Sequence, residues 1–412
     1  LGRVRIGKPE RAGAAQPGPE NQPFGGKTVE NFEYFNPTRI VFGKGTIAKV
    51  AGLVPKDRPV LMTYGGGSIK RNGVYEQTKA ALKGFDVKEF GGIEPNPRYE
   101  TLMQAVELGR RENIGFLLSV GGGSVLDGTK FIAAAMCFPG SEPWDILAKR
   151  AKVEDAVPLG GILTLPATGS ESNGNAVVSR ESTREKLAFY SEKVYPRFSI
   201  LDPETTFTLP PRQTANGVVD AFIHVMEQYM TYPVNAPLQD RQAEGILLTL
   251  VEEGPKIMAQ PDDYATRANI MWTATQALNG LISCGVPQDW ATHGIGHELT
   301  ALYGLDHAQT LAVIFPALLR HQRRRKAQKI LQYAARVWGI TDGAEEQRID
   351  AAIVKTEEFF RSLGVKTRLS EYGIAEGYNE VAKRIGARGS ALGEHGDIGP
   401  AEIDAILALC AA

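Results

Sequence analysis

The chain has 412 residues, 46 of them basic and 47 acidic, so its formal net charge is −1. This length is enough for two domains with a sizeable core, and the balanced charge argues against nucleic acid or an anionic membrane as a partner. Three scattered cysteines form no C-x-x-C pair, and no uncharged apolar run approaches the ~20 residues that span a bilayer, so we expect a cytoplasmic protein that acts on small molecules.

Residues 1–30 are rich in Pro, Gly and Gln and cannot bury much apolar surface. The segment also lacks the apolar centre of a signal peptide. We therefore expect a flexible lead-in or a remnant of expression cloning.

Residues 31–203 alternate apolar runs of strand length with helical patterns. The apolar runs lie at 38–43, 59–65, 116–123, 158–166 and 198–203, and one helical pattern lies at 99–113. Strands that alternate with helices form parallel sheets with helices on both faces. We therefore predict a doubly wound, Rossmann-like α/β domain over this half.

Residues 204–412 have a different texture. Long stretches of helical period at 217–230, 239–258 and 265–282 contain few β-branched runs, which predicts an all-helical domain. The basic run at 320–329 lies within a helical pattern, so we interpret it as a solvated helix face rather than as an anion site.

Two predicted strands run into the same glycine turn, written YGGGS at 64–68 and VGGGS at 120–124. Neither copy completes the dinucleotide fingerprint G-x-G-x-x-G. A strand, a glycine turn and a helix together present backbone N–H groups that suit a phosphate, and we expect Ser124 to cap the second helix with Asp127 completing a capping box. An ordinary strand-to-helix turn explains one copy better, whereas two copies favour a long ligand that crosses the strand ends.

A third predicted strand is followed by TLPATGSESN at 164–173. The small hydroxyl residues Thr164, Thr168 and Ser170 suit hydrogen bonding to a ligand, although the stretch alone is an ordinary polar loop. A ligand over the sheet that reaches toward the helical half would occupy a cleft between domains, which is a favoured ligand site.

Four of the six histidines fall between 224 and 307. Asp220 and His224 are spaced i, i+4, as are His293 and His297, so each pair shares one face of a helix. His307 follows after a predicted turn that can return a further ligand to the same point. Imidazoles and one carboxylate suit Zn²⁺ or Fe²⁺.

Each histidine pair taken alone is more often a coincidence than a metal site. Their concentration beside small residues such as Gly294 and Gly296, which allow close helix approach, favours a shared metal. His321 and His395 are interpreted as ordinary core or surface histidines.

These segments resemble the iron-containing (group III) alcohol dehydrogenases, and most closely their bacterial branch of NADPH-dependent aldehyde reductases and butanol dehydrogenases. The resemblance covers about 32–410 and rests on the order of several motifs: NPTRIVFGKG (36–45), YGGGSIK (64–70), GGIEPNP (91–97), GGGSVLDGTK (121–130), TLPATGSESN (164–173), TLPPRQTANGVVDAFIH (208–224) and GVPQDWATHGIGHELTALYGLDHAQTLA (285–312). Their combination is far more specific than a lone glycine motif.

The resemblance implies a dinucleotide-binding domain, an all-helical metal-binding domain of the dehydroquinate synthase-like fold, and a cleft between them. It implies that the metal ligands are Asp220, His224, His293 and His307, and that His297 lines the cleft near the metal. Together with the residue pattern, it gives these candidate cofactor contacts: Gly66, Gly67, Ser68, Asn96, Gly122, Gly123, Ser124, Asp127, Thr164, Thr168, Asn173, Lys186 and Thr208.

The first glycine loop bears on which cofactor binds. NAD-preferring members of the family carry an aspartate near Gly66, where its carboxylate takes the ribose 2′-hydroxyl and would repel a phosphate. Here the loop has glycine and Ser68, with Lys70 and Arg71 beyond, so it suits a 2′-phosphate. We therefore expect NADP(H).

The expected reaction is reversible hydride transfer from NADPH to a small aldehyde whose carbonyl oxygen is polarised by the metal. His297 either donates a proton to the product or only orients the site. Broad acceptance of straight-chain aldehydes of about three to eight carbons is expected from a small apolar site. The alternatives are an NAD- and metal-dependent cyclising lyase of the dehydroquinate synthase type and a non-catalytic metal-binding relative. The family implies a homodimer, with 32–43 as a candidate edge strand.

Overall fold

A computed structural model describes residues 28–389 and 391–411. The lead-in expected at 1–30 lies outside the described residues up to position 27 and stays a prediction there. A sheet-containing N-terminal half is followed by a half built from helices. This arrangement confirms the predicted fold class.

Six parallel strands form the main sheet, in the order β1-β8-β5-β4-β2-β3, while β6 and β7 pair with each other as an antiparallel hairpin. The described strands are β1 (Arg39–Phe42), β2 (Val60–Tyr64), β3 (Val87–Phe90), β4 (Phe116–Gly122), β5 (Leu159–Leu165), β6 (Asn175–Arg180), β7 (Glu185–Tyr190) and β8 (Phe198–Leu201). β2 and β8 are buried along their whole length, which agrees with their largely apolar sequences. The five predicted strands are all present.

The order in which successive strands are added to the sheet reverses between β2 and β4. β2 is followed by β3 on one side, whereas β4 is followed by β5 and then β8 on the other. The carboxyl ends of the two strands are neighbours, because Tyr64, the last residue of β2, pairs with Val120, and β4 continues only to Gly122. The glycine turns at 65–67 and 121–123 therefore lie side by side at a topological switch point, the position at which doubly wound folds bind ligands.

The described helices cover the faces of the sheet and form the second half. They are α1 (Ser68–Arg71), α2 (Val74–Ala81), α3 (Tyr99–Arg111), α4 (Gly123–Cys137), α5 (Asp145–Ala148), α6 (Pro211–Tyr229), α7 (Pro237–Ala259), α8 (Tyr264–Ala277), α9 (Ala291–Tyr303), α10 (His307–His321), α11 (Ala327–Val337), α12 (Glu345–Ser362), α13 (Asn379–Ala387) and α14 (Pro400–Ala411). Among these described helices, none combines the length and apolar character needed to cross a membrane.

α6 is the central helix of the second half. It packs against α7, α8 and α10, and every residue from 214 to 229 is buried. A helix that is covered on all sides is normally apolar throughout. The three ionisable residues Asp220, His224 and Glu227 are therefore exceptions, and buried ionisable groups need partners or a ligand.

The N-terminal part of α6 rests on the loop that follows β5. A Cβ atom on Gly217 would lie under 3.0 Å from the Pro166 carbonyl oxygen, so glycine allows this close approach. A second tie joins the halves, because the Thr275 hydroxyl of α8 donates a hydrogen bond to the Glu171 carboxylate at 2.5 Å. These contacts fix α6 relative to the carboxyl ends of the strands.

The basic run at 320–329 is not one helix face. α10 ends at His321 and α11 begins at Ala327, so the run includes the connection between them. Five of its six Lys and Arg side chains pair with carboxylates, as Arg320–Glu357, Arg323–Glu346, Arg325–Asp397, Lys326–Asp289 and Lys329–Asp240. The interpretation as a solvated face is wrong for Lys326 and Lys329. Their side chains are buried, each in an ion pair with an aspartate from another segment of the chain.

Candidate active site

The first glycine loop follows β2 and is partly exposed. Gly66 and Ser68 are exposed, and Gly67 has a φ of 90°, a left-handed conformation that favours glycine. Arg71 is also exposed and has neither a hydrogen bond nor an ion pair within the described chain. The loop thus offers a hydroxyl, backbone N–H groups and one uncommitted guanidinium to an incoming anion.

Lys70 is less available than the sequence suggested. Its ammonium lies 4.9 Å from the centre of the Tyr64 ring and 5.0 Å from that of Tyr75. Both tyrosine hydroxyls donate hydrogen bonds to Glu89, at 3.3 Å and 2.9 Å. Lys70 is therefore held over two tyrosine rings, whereas Arg71 has no such contact in the described part of the chain.

The second glycine loop starts α4 and is linked to two other segments. A Cβ on Gly123 would lie under 3.0 Å from the Thr168 side chain, so the glycine lets the third predicted loop approach. The Ser124 hydroxyl accepts a hydrogen bond from the backbone N–H of Asn96 at 3.3 Å. The Asn96 side-chain oxygen accepts one from Lys186 at 2.9 Å. The fold thus brings together residues predicted from four separate stretches of sequence.

The capping box predicted at the start of α4 is wrong. Instead of closing the helix end with Ser124, the Asp127 carboxylate accepts hydrogen bonds from the Ser170 hydroxyl at 2.6 Å and from the Val177 N–H at 3.0 Å. Burial raises the pKa of this carboxyl, while Lys130 and Ser170 counteract part of the rise. Asp127 therefore holds the loop after β5 and the β6–β7 hairpin against α4.

Asn173 was predicted to contact the cofactor, but its amide is occupied within the protein. Its NH₂ group donates to the carbonyls of Gly169 and Leu278 at 2.9 Å and 3.1 Å. Its oxygen accepts from Lys130 at 3.1 Å and from the Asn175 N–H at 3.0 Å. An amide side chain has two N–H donors and an oxygen with two lone pairs, and all four are used here. The Asn173 side chain therefore shapes the site rather than presenting free groups to a ligand.

The three predicted threonines are placed differently. Thr164 is buried near the end of β5, and Thr168 accepts a hydrogen bond from the Ser170 N–H at 3.2 Å. Thr208 is exposed in the connection that precedes α6. Thr164 therefore lies at the end of β5 and Thr168 in the loop that follows it, whereas Thr208 lies in a different connection.

The candidate metal ligands converge from three helices. One ligand atom each from Asp220, His293 and His307 lies within 4.8 Å of the others. Asp220 Oδ1 and His293 Nε2 are buried and have no hydrogen-bond partner among the described residues. Buried polar atoms normally have a hydrogen-bond partner, so these unpaired ligand atoms around one point fit a metal ion.

His224 lies at the edge of this group. Its Nε2 is 3.8 Å from Asp220 Oδ1, and its ring stacks on that of His293 with the centres 4.8 Å apart. His307 Nε2 lies 3.6 Å from the same Asp220 oxygen. The three predicted histidine ligands therefore surround Asp220, with His224 slightly outside the tightest set.

Burial keeps these imidazoles neutral. Desolvation lowers the pKa of His224 to about 4 and that of His293 to about 4, although Asp220 counteracts part of each change. Desolvation also places the pKa of His307 well below its usual value. Neutral imidazole is the form that binds metal ions, so the ligands are in the correct state at neutral pH.

Lys186 lies between the cofactor loops and the metal ligands. Its side chain is buried on β7, and desolvation lowers its pKa to about 8, while Asp220 and Asp127 act in the opposite direction. The predicted Lys186 therefore lies where the two parts of the site meet.

His297 faces the metal ligands from the same helix as His293. Its ring centre is 6.1 Å from that of His293 and 5.3 Å from that of His307. Desolvation lowers its pKa well below the usual value. A histidine in this state is a neutral hydrogen-bonding group rather than a ready proton donor.

Glu227 is a site residue that the sequence analysis missed. Its carboxylate contacts His293 Nδ1 and accepts hydrogen bonds from the backbone N–H groups of Thr292 and His293, at 2.7 Å and 3.3 Å. Its position three residues after His224 was visible in the sequence, but its approach to a residue 66 positions away depends on the fold.

The comparison with known families covers both halves of the chain. Residues 37–203 match the family described as iron-containing alcohol dehydrogenase, and residues 214–408 match the C-terminal part of the Fe-containing alcohol dehydrogenase family. The chain belongs to the iron-containing alcohol dehydrogenases. The recognition made from the motifs is thereby confirmed.

Two relatives in this family show how closely the chain follows it. It is 59% identical over 374 residues to the NADPH-dependent aldehyde reductase YqhD of Escherichia coli, an alignment that covers 90% of this chain and 97% of that protein. It is 42% identical to a probable NADH-dependent butanol dehydrogenase of Bacillus subtilis, over 88% of this chain and 95% of the relative.

Solved structures agree with this relationship. The crystal structure of Escherichia coli YqhD matches with a TM-score of 0.92 and 57% identity, covering 93% of this chain and all of the other. The NADH-dependent butanol dehydrogenase A of Thermotoga maritima matches with a TM-score of 0.89 and 36% identity, covering 94% and 100% of the two chains. This iron-containing alcohol dehydrogenase therefore shares its whole described architecture with solved members of the family.

Proposed function

We propose that the chain reduces small aldehydes to primary alcohols, reversibly, with NADPH as hydride donor and one Zn²⁺ or Fe²⁺ ion. The observation that carries the proposal is the convergence of Asp220, His293 and His307 within 4.8 Å, beside the switch point where the glycine loops meet. The name of the Escherichia coli relative, an NADPH-dependent aldehyde reductase, supports the same reaction.

When bound, the metal supplies a Lewis acid for the carbonyl oxygen and NADPH supplies the hydride. Asp220, His224, His293 and His307 would hold the metal, because their ligand atoms face one another and their imidazoles are neutral. The backbone at 122–124 would hold the pyrophosphate at the start of α4. Lys186 and Asn96, which are joined at 2.9 Å, would orient the part of the cofactor nearest to the metal.

The relatives differ in the cofactor that their names give, so the choice depends on the first glycine loop of this chain. Positions 64–71 contain no acidic residue, and Ser68 and Arg71 are exposed there. A 2′-phosphate would meet a hydroxyl and a guanidinium rather than a carboxylate. These features support NADP(H) over NAD(H).

Replacing Gly66 tests this choice. A Cβ at Gly66 would meet nothing within 4 Å in the described structure, so Gly66→Asp introduces a carboxylate without a steric clash. We expect the ratio of kcat/KM for NADPH to that for NADH, measured with butanal, to fall about tenfold or more because like charges repel. The neutral isostere Gly66→Asn should change the ratio only a few-fold. Equal effects of the two variants would contradict the assignment of the 2′-phosphate pocket.

The same assay separates the alternatives. A cyclising lyase restores its cofactor within each turnover, and a non-catalytic relative binds without reacting, so neither would consume NADPH with butanal. Membership of the alcohol dehydrogenase family and the complete ligand set speak against both. No oxidation of either cofactor by the wild-type protein would overturn the proposed function.

A homodimer is proposed through the edge strand β1. Phe42 on this strand is 39% exposed and packs against Trp272, which is itself 43% exposed. An apolar edge strand is a common pairing surface. We expect Phe42→Asp to shift the mass measured by light scattering from dimer to monomer, while Leu238→Asp, at an exposed residue of α7, leaves it unchanged. A dimer that persists in Phe42→Asp would refute this interface.

A cytoplasmic location is likewise proposed. The three cysteines are all free thiols, and Cys284 and Cys410 are buried. Unpaired cysteines suit a reducing compartment. Cell fractionation with an antibody to the chain would check this.

A further inference from the structure

We infer that Glu227 is a positioning residue that fixes His293 for the metal and joins the two helices that carry most of the ligands. The inference rests on the metal site of the proposed function. Glu227 lies on α6 with a side chain only 2% exposed. Its carboxylate contacts His293 Nδ1 on α9.

The contact selects one form of the imidazole. When Nε2 binds the metal, Nδ1 carries the ring proton and donates it to Glu227. The lone pair is then left on Nε2, which is buried and has no hydrogen-bond partner among the described residues. Metal-binding histidines commonly have their second nitrogen held by a carboxylate in this way.

The other oxygen of Glu227 binds the start of α9. It accepts hydrogen bonds from the N–H groups of Thr292 and His293 at 2.7 Å and 3.3 Å, which lie in the first turn of the helix. These groups have no partner within their own helix. A carboxylate at this end also interacts favourably with the helix dipole. Glu227 therefore fixes where α9 begins relative to α6.

A neighbouring buried cluster supports this arrangement. The Asp289 N–H donates to the Glu227 carbonyl oxygen at 2.8 Å, and the Asp289 carboxylate accepts from Lys326 at 2.9 Å. The segment that leads into α9 is thereby tied to the same turn of α6. Since Asp220 and His224 lie on α6 and His293 on α9, the position of Glu227 sets the distances among three candidate ligands.

The test is the affinity of Glu227→Gln for Zn²⁺, measured by competition with a chromophoric chelator. Glutamine keeps the size of the side chain but removes the charge and replaces one acceptor oxygen with a donor. We expect the affinity to fall about 10- to 100-fold. The visible spectrum of the Co²⁺-substituted protein should also change, because the ligand geometry around the ion changes.

The matched control is Glu244→Gln. Glu244 is also buried, and it accepts hydrogen bonds from Tyr229 of α6 and from Gln332, both at 2.9 Å. The control thus removes a buried, hydrogen-bonded carboxylate that packs on the same helix without contacting a candidate ligand. Its Zn²⁺ affinity should stay within about twofold of wild type.

Glu227→Asp covers the case in which Glu227→Gln does not fold. It keeps the charge but withdraws it by one methylene. If both variants fold, Glu227→Asp should lose less Zn²⁺ affinity than Glu227→Gln. If only Glu227→Asp folds, its Zn²⁺ affinity should be about tenfold below that of wild type. A folded variant with wild-type Zn²⁺ affinity and an unchanged Co²⁺ spectrum would overturn the inference and leave the proposed function intact. A wild-type protein that binds none of Zn²⁺, Fe²⁺ and Co²⁺ would overturn both.

Discussion

Gly217 sets how closely the ligand-bearing helix α6 approaches the sheet. It lies three residues before Asp220, and a Cβ there would be under 3.0 Å from the Pro166 carbonyl oxygen. Ordinary carbon–oxygen contacts lie at about 3.3–3.6 Å. Gly217→Ala therefore forces the helix and the loop after β5 apart by about 1 Å.

Two effects on stability act in opposite directions. Alanine is about 1 kcal/mol more favourable than glycine inside a helix, whereas overpacking a tight contact costs about 1–3 kcal/mol. Gly245→Ala on α7 isolates the first effect, because a Cβ at Gly245 would meet nothing within 4 Å in the described part of the chain. We expect Gly217→Ala to be about 1–3 kcal/mol less stable than Gly245→Ala in urea unfolding.

The displacement should also reduce catalysis. Misplacing reacting groups by about 1 Å can cost about 100-fold in rate, so kcat/KM for butanal reduction should fall about 10- to 100-fold in Gly217→Ala and stay near wild type in Gly245→Ala. If the two variants had the same unfolding free energy and the same kcat/KM, the close contact at Pro166 would have no part in placing the metal ligands.

Two further predictions concern titratable groups. His297→Asn should lower kcat/KM while leaving its pH dependence between about pH 6 and 8 parallel to wild type, because burial already keeps this imidazole neutral; a changed profile would instead identify His297 as the proton donor. Burial, together with the hydrogen bond to Asp289, raises the pKa of Glu394 to about 7 from its ordinary value of 4.5. Because this carboxyl is harder to ionise in the folded than in the unfolded protein, the free energy of unfolding falls as the pH rises from about 4.5 through about 7. The total fall is no more than about 3 kcal/mol. Urea unfolding of Glu394→Gln should lack this loss, and parallel stability curves for variant and wild type would contradict the assignment.

The sequence predicted the buried strands of the sheet well but missed the weakly apolar ones. β4 and β5 are continuous apolar runs, because neighbours cover them on both faces. β3 reads VKEF and lies at an edge, so half of its residues are charged. The β6–β7 hairpin lies outside the main sheet and is partly exposed, which leaves no strong pattern in its sequence.

The candidate site was predictable where helix spacing decides it. Asp220 and His224 are one turn apart on a helix that the sequence predicted, and so are His293 and His297. The role of Asn173 was not predictable, because a polar residue in a loop serves a ligand or the fold equally well, and here its four hydrogen bonds are internal.

The central claim is that one metal ion held in the candidate site enables NADPH-dependent aldehyde reduction. The most direct test removes the metal by chelation and follows the rate of NADPH oxidation with butanal while Zn²⁺ or Fe²⁺ is added back. We expect activity to be lost on chelation and to return to a plateau at one ion per chain, and His307→Ala to regain little of it. A rate that is independent of metal content, or a His307→Ala variant that recovers fully, would contradict the claim.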